Sequence, residues 1–150
     1  MILPKLTLFD LDGTLVDSAL AFQQNLKPID GAVDLVRSVR SQVCIASNGP
    51  PEKIRLSLSL TGLQPFFGDR LFSAYDVQAW KPDPELFLSD ARTLGVHPRD
   101  CAVVEDSLPG IHGGLAAGMQ VFAYFPDSDP PPLPDAVVVV KHLSELQTHL

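Results

Sequence analysis

Short apolar runs alternate along this chain with segments of helical period, and that alternation constrains the fold more than any other feature. The runs predict strands near residues 6–9, 43–47, 101–105, 120–124 and 137–140, and helices near 31–40, 52–62, 84–94, 110–117 and 143–150. Parallel strands need a crossover between them, usually a helix, so this order implies a parallel sheet covered by helices on both faces. The fold class expected is α/β.

Local signals support the elements. Asp83 is placed to cap a helix that starts at Pro84. Phe87, Ala91 and Leu94 then recur at i, i+4 and i+7, and Gly95 supplies a stop. In the last helix Ser144 is the expected cap, with Leu143, Leu146 and Leu150 along one face. Val137 to Val140 lacks polar alternation, as expected of a strand buried on both faces. Asp127 to Pro134 carries four prolines in eight residues and reads as a stiff connector.

With 150 residues the chain fits one domain, long enough to bury about 70% of its unfolded surface. Eleven basic against eighteen acidic residues give a net charge of −7, which argues against nucleic acid or an anionic membrane as partner. No apolar run reaches a membrane-spanning length. The N-terminus enters a core strand without a charged leader, so a cytoplasmic location is expected.

The chemistry concentrates in Phe9-Asp10-Leu11-Asp12-Gly13-Thr14-Leu15-Val16-Asp17-Ser18. An apolar run delivers two carboxylates to the carboxyl edge of a sheet, where open α/β folds place their ligands. Residues i and i+2 on extended backbone point the same way, so Asp10 and Asp12 can face one pocket. Clustered acids are costly without a cation or a proton to compensate. The pattern points to metal chemistry with one carboxylate available as nucleophile.

That segment resembles the signature of the haloacid dehalogenase superfamily of phosphotransferases. Three further stretches resemble the family's other motifs, in order: Ser47-Asn48 at the end of a second strand, Lys81 in Trp80-Lys81-Pro82-Asp83-Pro84, and Glu105-Asp106 after Ala102-Val103-Val104. The resemblance covers nearly the whole chain. It implies a Rossmann-like three-layer αβα sandwich and phosphomonoester hydrolysis with Mg²⁺ as cofactor. By that likeness Asp10 is the nucleophile that forms an aspartyl-phosphate and Asp12 the acid/base. Asp10, Asp106 and the Asp12 carbonyl would hold the metal, with Glu105 either a ligand or a partner through water. Lys81, Ser47, the Asn48 N–H and Gly13 would contact the phosphoryl group.

Relatives of this type carry a helical cap soon after the first motif. Here nine residues, Ala19 to Lys27, separate Ser18 from Pro28-Ile29-Asp30-Gly31, which resembles the return into the core. Residues 1–150 are therefore expected to form a single core domain, with 19–27 a stub in the cap's place and Leu20, Phe22 and Leu26 its apolar stripe. The flanking motifs look like the branch containing 6-phosphogluconate phosphatases, so a small phosphorylated metabolite such as a sugar phosphate is the expected partner. A monomer or homodimer is expected. A catalytically weak phosphate-binding scaffold, or a core completed by a partner or dimer, stays open.

If the family's strand order holds, the Asp10 strand separates Cys44 from Cys101 by about two strand spacings, roughly 10 Å, too far for a disulfide. His97, His112, His142 and His149 show no metal-ligand spacing; His112, after the Asp106 loop, is the one placed nearest the pocket. Trp80 is expected to anchor its loop.

Overall fold

The computed structural model describes residues 2–18 and 26–150. In chain order it runs β1 (Leu6–Phe9), β2 (Val16–Asp17), β3 (Lys27–Pro28), α1 (Ala32–Ser38), β4 (Gln42–Ser47), α2 (Pro51–Thr61), α3 (Gln64–Phe67) and β5 (Leu71–Ser73). It continues with α4 (Ala74–Val77), α5 (Glu85–Thr93), β6 (Cys101–Glu105), α6 (Leu108–Ala116), β7 (Gln120–Tyr124) and β8 (Val138–Val140). Short 3₁₀ turns cover Pro98–Asp100 and Leu143–Leu146.

Six strands pair in parallel in the order β5-β4-β1-β6-β7-β8, with β1 and β6 at the centre. Alternate residues of each central strand enter opposite layers. Phe9, Val43, Ile45, Ala102, Val104 and Phe122 join one apolar cluster with Leu35, Ile54 and Leu58 of α1 and α2. Leu6, Leu8, Cys44, Ala46, Val103 and Val121 join the other with Leu86, Phe87 and Ile111 of α5 and α6. Both clusters are buried from solvent, which accounts for the α/β/α layering.

Several expectations need correction. The run at 137–140 is an edge strand, and Val139 is 38% exposed, so it is not buried on both faces. The C-terminal helix is a single 3₁₀ turn, though Leu143, Leu146 and Leu150 are fully buried. Its cap is His142, whose side chain accepts the Ser144 N–H while Glu145 accepts the His142 N–H; Ser144 is not the cap. Strand β5 adds a sixth strand at the far edge, and α5 begins at Glu85. Its N-cap is therefore Pro84 and not Asp83, although the Asp83 carboxylate still accepts the Glu85 N–H at 2.9 Å. The connector 127–134 holds no regular element. Cys44 and Cys101 are buried free thiols on the two strands that flank β1.

Strands β2 and β3 form a separate antiparallel pair, Val16 against Pro28 and Asp17 against Lys27. The chain leaves and re-enters the core side by side there. Leu20 and Phe22 of the expected apolar stripe lie outside the described residues, whereas Leu26 packs on the core.

Candidate functional site

Asp10 follows the last residue of β1, and its N–H donates to the Val104 carbonyl of β6 at 3.0 Å. The chain then turns sharply: the Leu15 and Val16 N–H groups both reach the Leu11 carbonyl, and the Gly13 N–H reaches Val16. Gly13 adopts φ +83°, where glycine carries no penalty. A Cβ there would lie 2.2 Å from Asp106 Oδ2, so the absent side chain makes room for that carboxylate.

Asp10, Glu105 and Asp106 each offer an oxygen within 4.8 Å of the others. The Thr14 hydroxyl stands 3.1 Å from both Asp10 Oδ2 and Asp106 Oδ1 and bridges the two. Burial, together with the adjoining Asp10, pushes Asp106 up to about 8. Three carboxyls crowded this closely are what a divalent cation would relieve.

Lys81 is the buried cation of the site, 7% exposed. Its Nζ donates to Asp10 Oδ1 at 3.0 Å, Glu105 Oε1 at 2.5 Å and the Ala46 carbonyl at 2.7 Å, which engages all three ammonium hydrogens. Burial works against the ammonium, but the charges of Asp10 and Glu105 outweigh it and hold the Lys81 pKa above its ordinary value. The main chain of Lys81 is fixed by Asn48, whose Oδ1 accepts its N–H at 2.9 Å. The Phe87 ring lies under Nζ at 5.2 Å.

Glu105 is fully buried, and burial pushes it up to about 7 despite Lys81. Its second oxygen accepts the Asp106 N–H at 3.2 Å and the Ser107 N–H and hydroxyl at 3.4 and 3.2 Å. Both oxygens are thus spent on protein donors, which suits an anchor for Lys81 and the Asp106 loop. Ser47 ends β4 with its Oγ accepting the Gly49 N–H at 3.0 Å, an arrangement that leaves its proton to donate.

Asp12 stands apart from this cluster. Its Oδ2 pairs with Lys53 Nζ at 3.2 Å, and its buried Oδ1 has no hydrogen-bond partner among the described residues. Asp12, Gly13 and Asp106 line one wall of a cavity of about 750 Å³, whose other walls include Asp17, Lys27, Asp30, Tyr124 and Asp127.

Of the residues singled out from sequence, Asp10, Lys81, Glu105 and Asp106 come together directly, Asn48 holds the Lys81 main chain, Gly13 lies against Asp106, and Ser47 follows Ala46, whose carbonyl accepts from Lys81. His112 is exposed on α6 and does not line this cavity. Trp80 is 43% exposed and packs edge-on against Tyr75 at 5.4 Å. Sequence reasoning missed Thr14, Lys53 and Gly110. Thr14 is detectable as a buried hydroxyl beside paired acids. Gly110 on α6 would place a Cβ 1.9 Å from Glu105, a close approach with no local signal.

Comparison with known proteins follows the same lines. Residues 18–118 match the haloacid dehalogenase-like hydrolase family. The chain is 37% identical over 129 residues to the 6-phosphogluconate phosphatase of Escherichia coli, covering 85% of this chain and 58% of that protein. Among solved structures, a haloacid dehalogenase-like protein of unknown function from Agrobacterium tumefaciens superposes with a TM-score of 0.83 at 26% identity, covering 96% of each chain. A dehalogenase superposes at 0.87 with 18% identity, covering 99% of this chain and 97% of its own, and so shows the fold alone.

Proposed function

Because the chain belongs to the haloacid dehalogenase-like hydrolases, we propose that it is a Mg²⁺-dependent phosphomonoester hydrolase acting through an aspartyl-phosphate. The observation that carries this reading is the Asp10 carboxylate, held between the Lys81 ammonium and the Thr14 hydroxyl beside Asp106. It is aimed and charge-compensated as a nucleophile needs to be.

The hard, clustered oxygens of Asp10 and Asp106 fit a small divalent ion, and by the family likeness the carbonyl of Asp12 would join them. When bound, Mg²⁺ offsets the repulsion between these carboxylates and the phosphoryl oxygens and polarises the phosphorus. An Asp10 oxygen attacks phosphorus while the ester P–O bond breaks. Asp12 gives its proton to the departing oxygen, then takes one from the water that opens the aspartyl-phosphate. Lys81, Ser47 and the Asn48 N–H stabilise charge on the phosphoryl oxygens as it develops.

The substrate we propose is a small polyol or sugar phosphate. Asp17, Asp30 and Asp127 line the cavity beside Asp12 together with Lys27, a polar set that can accept from and donate to the hydroxyls of such an ester. The printed activity of the Escherichia coli relative is in keeping with a sugar-derived ester. The chain spans 58% of that relative's length. We read residues 1–150 as one core domain in which 19–27 replaces a cap, and the paired β2 and β3 support that reading.

The test is phosphate release from an aryl phosphate and a sugar-phosphate panel, with Mg²⁺ and with chelator, alongside Asp10→Asn. The expected result is turnover that requires Mg²⁺ and falls at least ~10³-fold in the variant. Turnover that survives either change would refute the mechanism.

A further inference from the structure

Tyr124 ends β7 and belongs to none of the four motifs. Strands β6 and β7 pair with Glu105 beside Ala123, which brings Tyr124, one residue on, level with Asp106. Its side chain joins the core cluster that holds Val104, Phe122 and Val140, and the residue is only 6% exposed. Tyr124 nevertheless lines the cavity that Asp12 and Asp106 border. Its hydroxyl makes no hydrogen bond among the described residues. Nor is that hydroxyl sealed in the interior, since the sealed side-chain oxygens without a partner there belong to Asp12 and Asp90. The hydroxyl therefore meets solvent, and it does so in the cavity.

The other polar groups on these walls are of a different kind. Asp17, Lys27, Asp30, Asp127 and Ser128 include four charged side chains, and all but Ser128 can serve only as acceptor or only as donor. All five residues stand on the exposed surface, so gripping a ligand costs them rotamer freedom. The Tyr124 ring is already fixed by the core, and a phenol both donates and accepts. Burial and the charges of Asp127, Asp30 and Asp106 push its pKa up, in keeping with a neutral phenol among these carboxylates.

We propose that Tyr124 is a specificity-determining residue whose hydroxyl binds a hydroxyl on the organic part of the phosphate ester. The inference rests on the phosphatase reading and narrows it to esters whose alcohol carries further hydroxyl groups. An ester without them would leave the fixed phenol unpaired, and sites built to bond a hydroxyl discriminate against such analogues.

The experiment compares wild type with Tyr124→Phe on glucitol 6-phosphate in the presence of Mg²⁺. Two hydroxyl-free esters, n-hexyl phosphate and p-nitrophenyl phosphate, run beside it. The hexyl ester keeps a primary alkoxide leaving group of the same carbon length. Both kcat and KM are read, with melting curves alongside.

Wild type should favour glucitol 6-phosphate over n-hexyl phosphate in kcat/KM. Tyr124→Phe should lose about 10-fold in kcat/KM on the hydroxylated ester, mainly as a rise in KM, and change by less than about 2-fold on the others. Melting temperature should hold, because the hydroxyl bonds no protein group. Equal losses on all three esters, no loss on any, or a wild type indifferent to the hydroxyls would each overturn the specificity role and leave the phosphatase reading standing. A wild type silent toward all three would overturn both.

Discussion

Lys81 Nζ stands 3.0 Å from Asp10 Oδ1, and that contact joins the first and third of the four motif segments across 71 residues of sequence. The same ammonium reaches Glu105 and the Ala46 carbonyl, so one side chain ties together the carboxyl ends of β1, β4 and β6. A surface loop would not need this. Removing a lysine from water is costly, and it persists here because two carboxylates and a carbonyl replace its hydration.

Lys81→Met should therefore damage stability and chemistry together. Glu105 would be left as an uncompensated buried charge, a loss of about 3–5 kcal/mol. Adding Glu105→Gln removes that charge, so the double variant should recover much of the melting temperature and none of the phosphatase turnover. Recovery of both would mean that Lys81 serves the fold alone.

Gly13→Ala should act mainly on the cation. The residue sits at φ +83°, and its new Cβ would collide with Asp106 Oδ2. The strain costs about 1 kcal/mol or more, and Asp106 must swing away from Asp10. Calorimetric Mg²⁺ titration should show affinity at least ~10-fold weaker, with melting lowered only modestly. Unchanged affinity would remove Asp106 from the metal site.

The sheet and the site differ in how much of them the sequence displays. Val103, Val104, Ile45 and Leu8 announce central strands because burial on both faces leaves no room for polar alternation. Strand β5, Leu-Phe-Ser, is too short for any periodicity, and its place at the edge comes from packing on β4. The C-terminal leucines are buried as their spacing suggests, but His142 and Glu145 close the turn before a helix propagates. In the site, Asp10, Lys81 and Asp106 stand in recognisable motifs. Lys53 and Gly110 do not, since a lysine in a first helical turn and a glycine within a helix acquire meaning only from what lies across from them. Asp90 is the clearest case: no local sequence signal marks this carboxylate for the interior, yet the structure buries it completely.

Asp90 lies on α5 with neither carboxyl oxygen hydrogen-bonded among the described residues. Burial pushes its pKa up to about 8, and the Lys81 charge pulls only partly against this. Between about pH 4 and 8 the folded chain therefore keeps a proton that the unfolded chain has released, so stability falls as pH rises through that window. This one group contributes a slope of up to ~1.4 kcal/mol per pH unit. Glu105 and Asp106 are raised as well and add the same sign, so the comparison must isolate Asp90. Asp90→Asn keeps the shape and cannot ionise. Denaturant midpoints for the two proteins should nearly coincide at acidic pH and diverge as pH rises, with the variant more stable by at least ~1 kcal/mol above pH 8. Parallel curves across the range would show that Asp90 finds a partner or solvent in the native protein, because a carboxyl kept ionised at no cost would leave no pH-dependent difference.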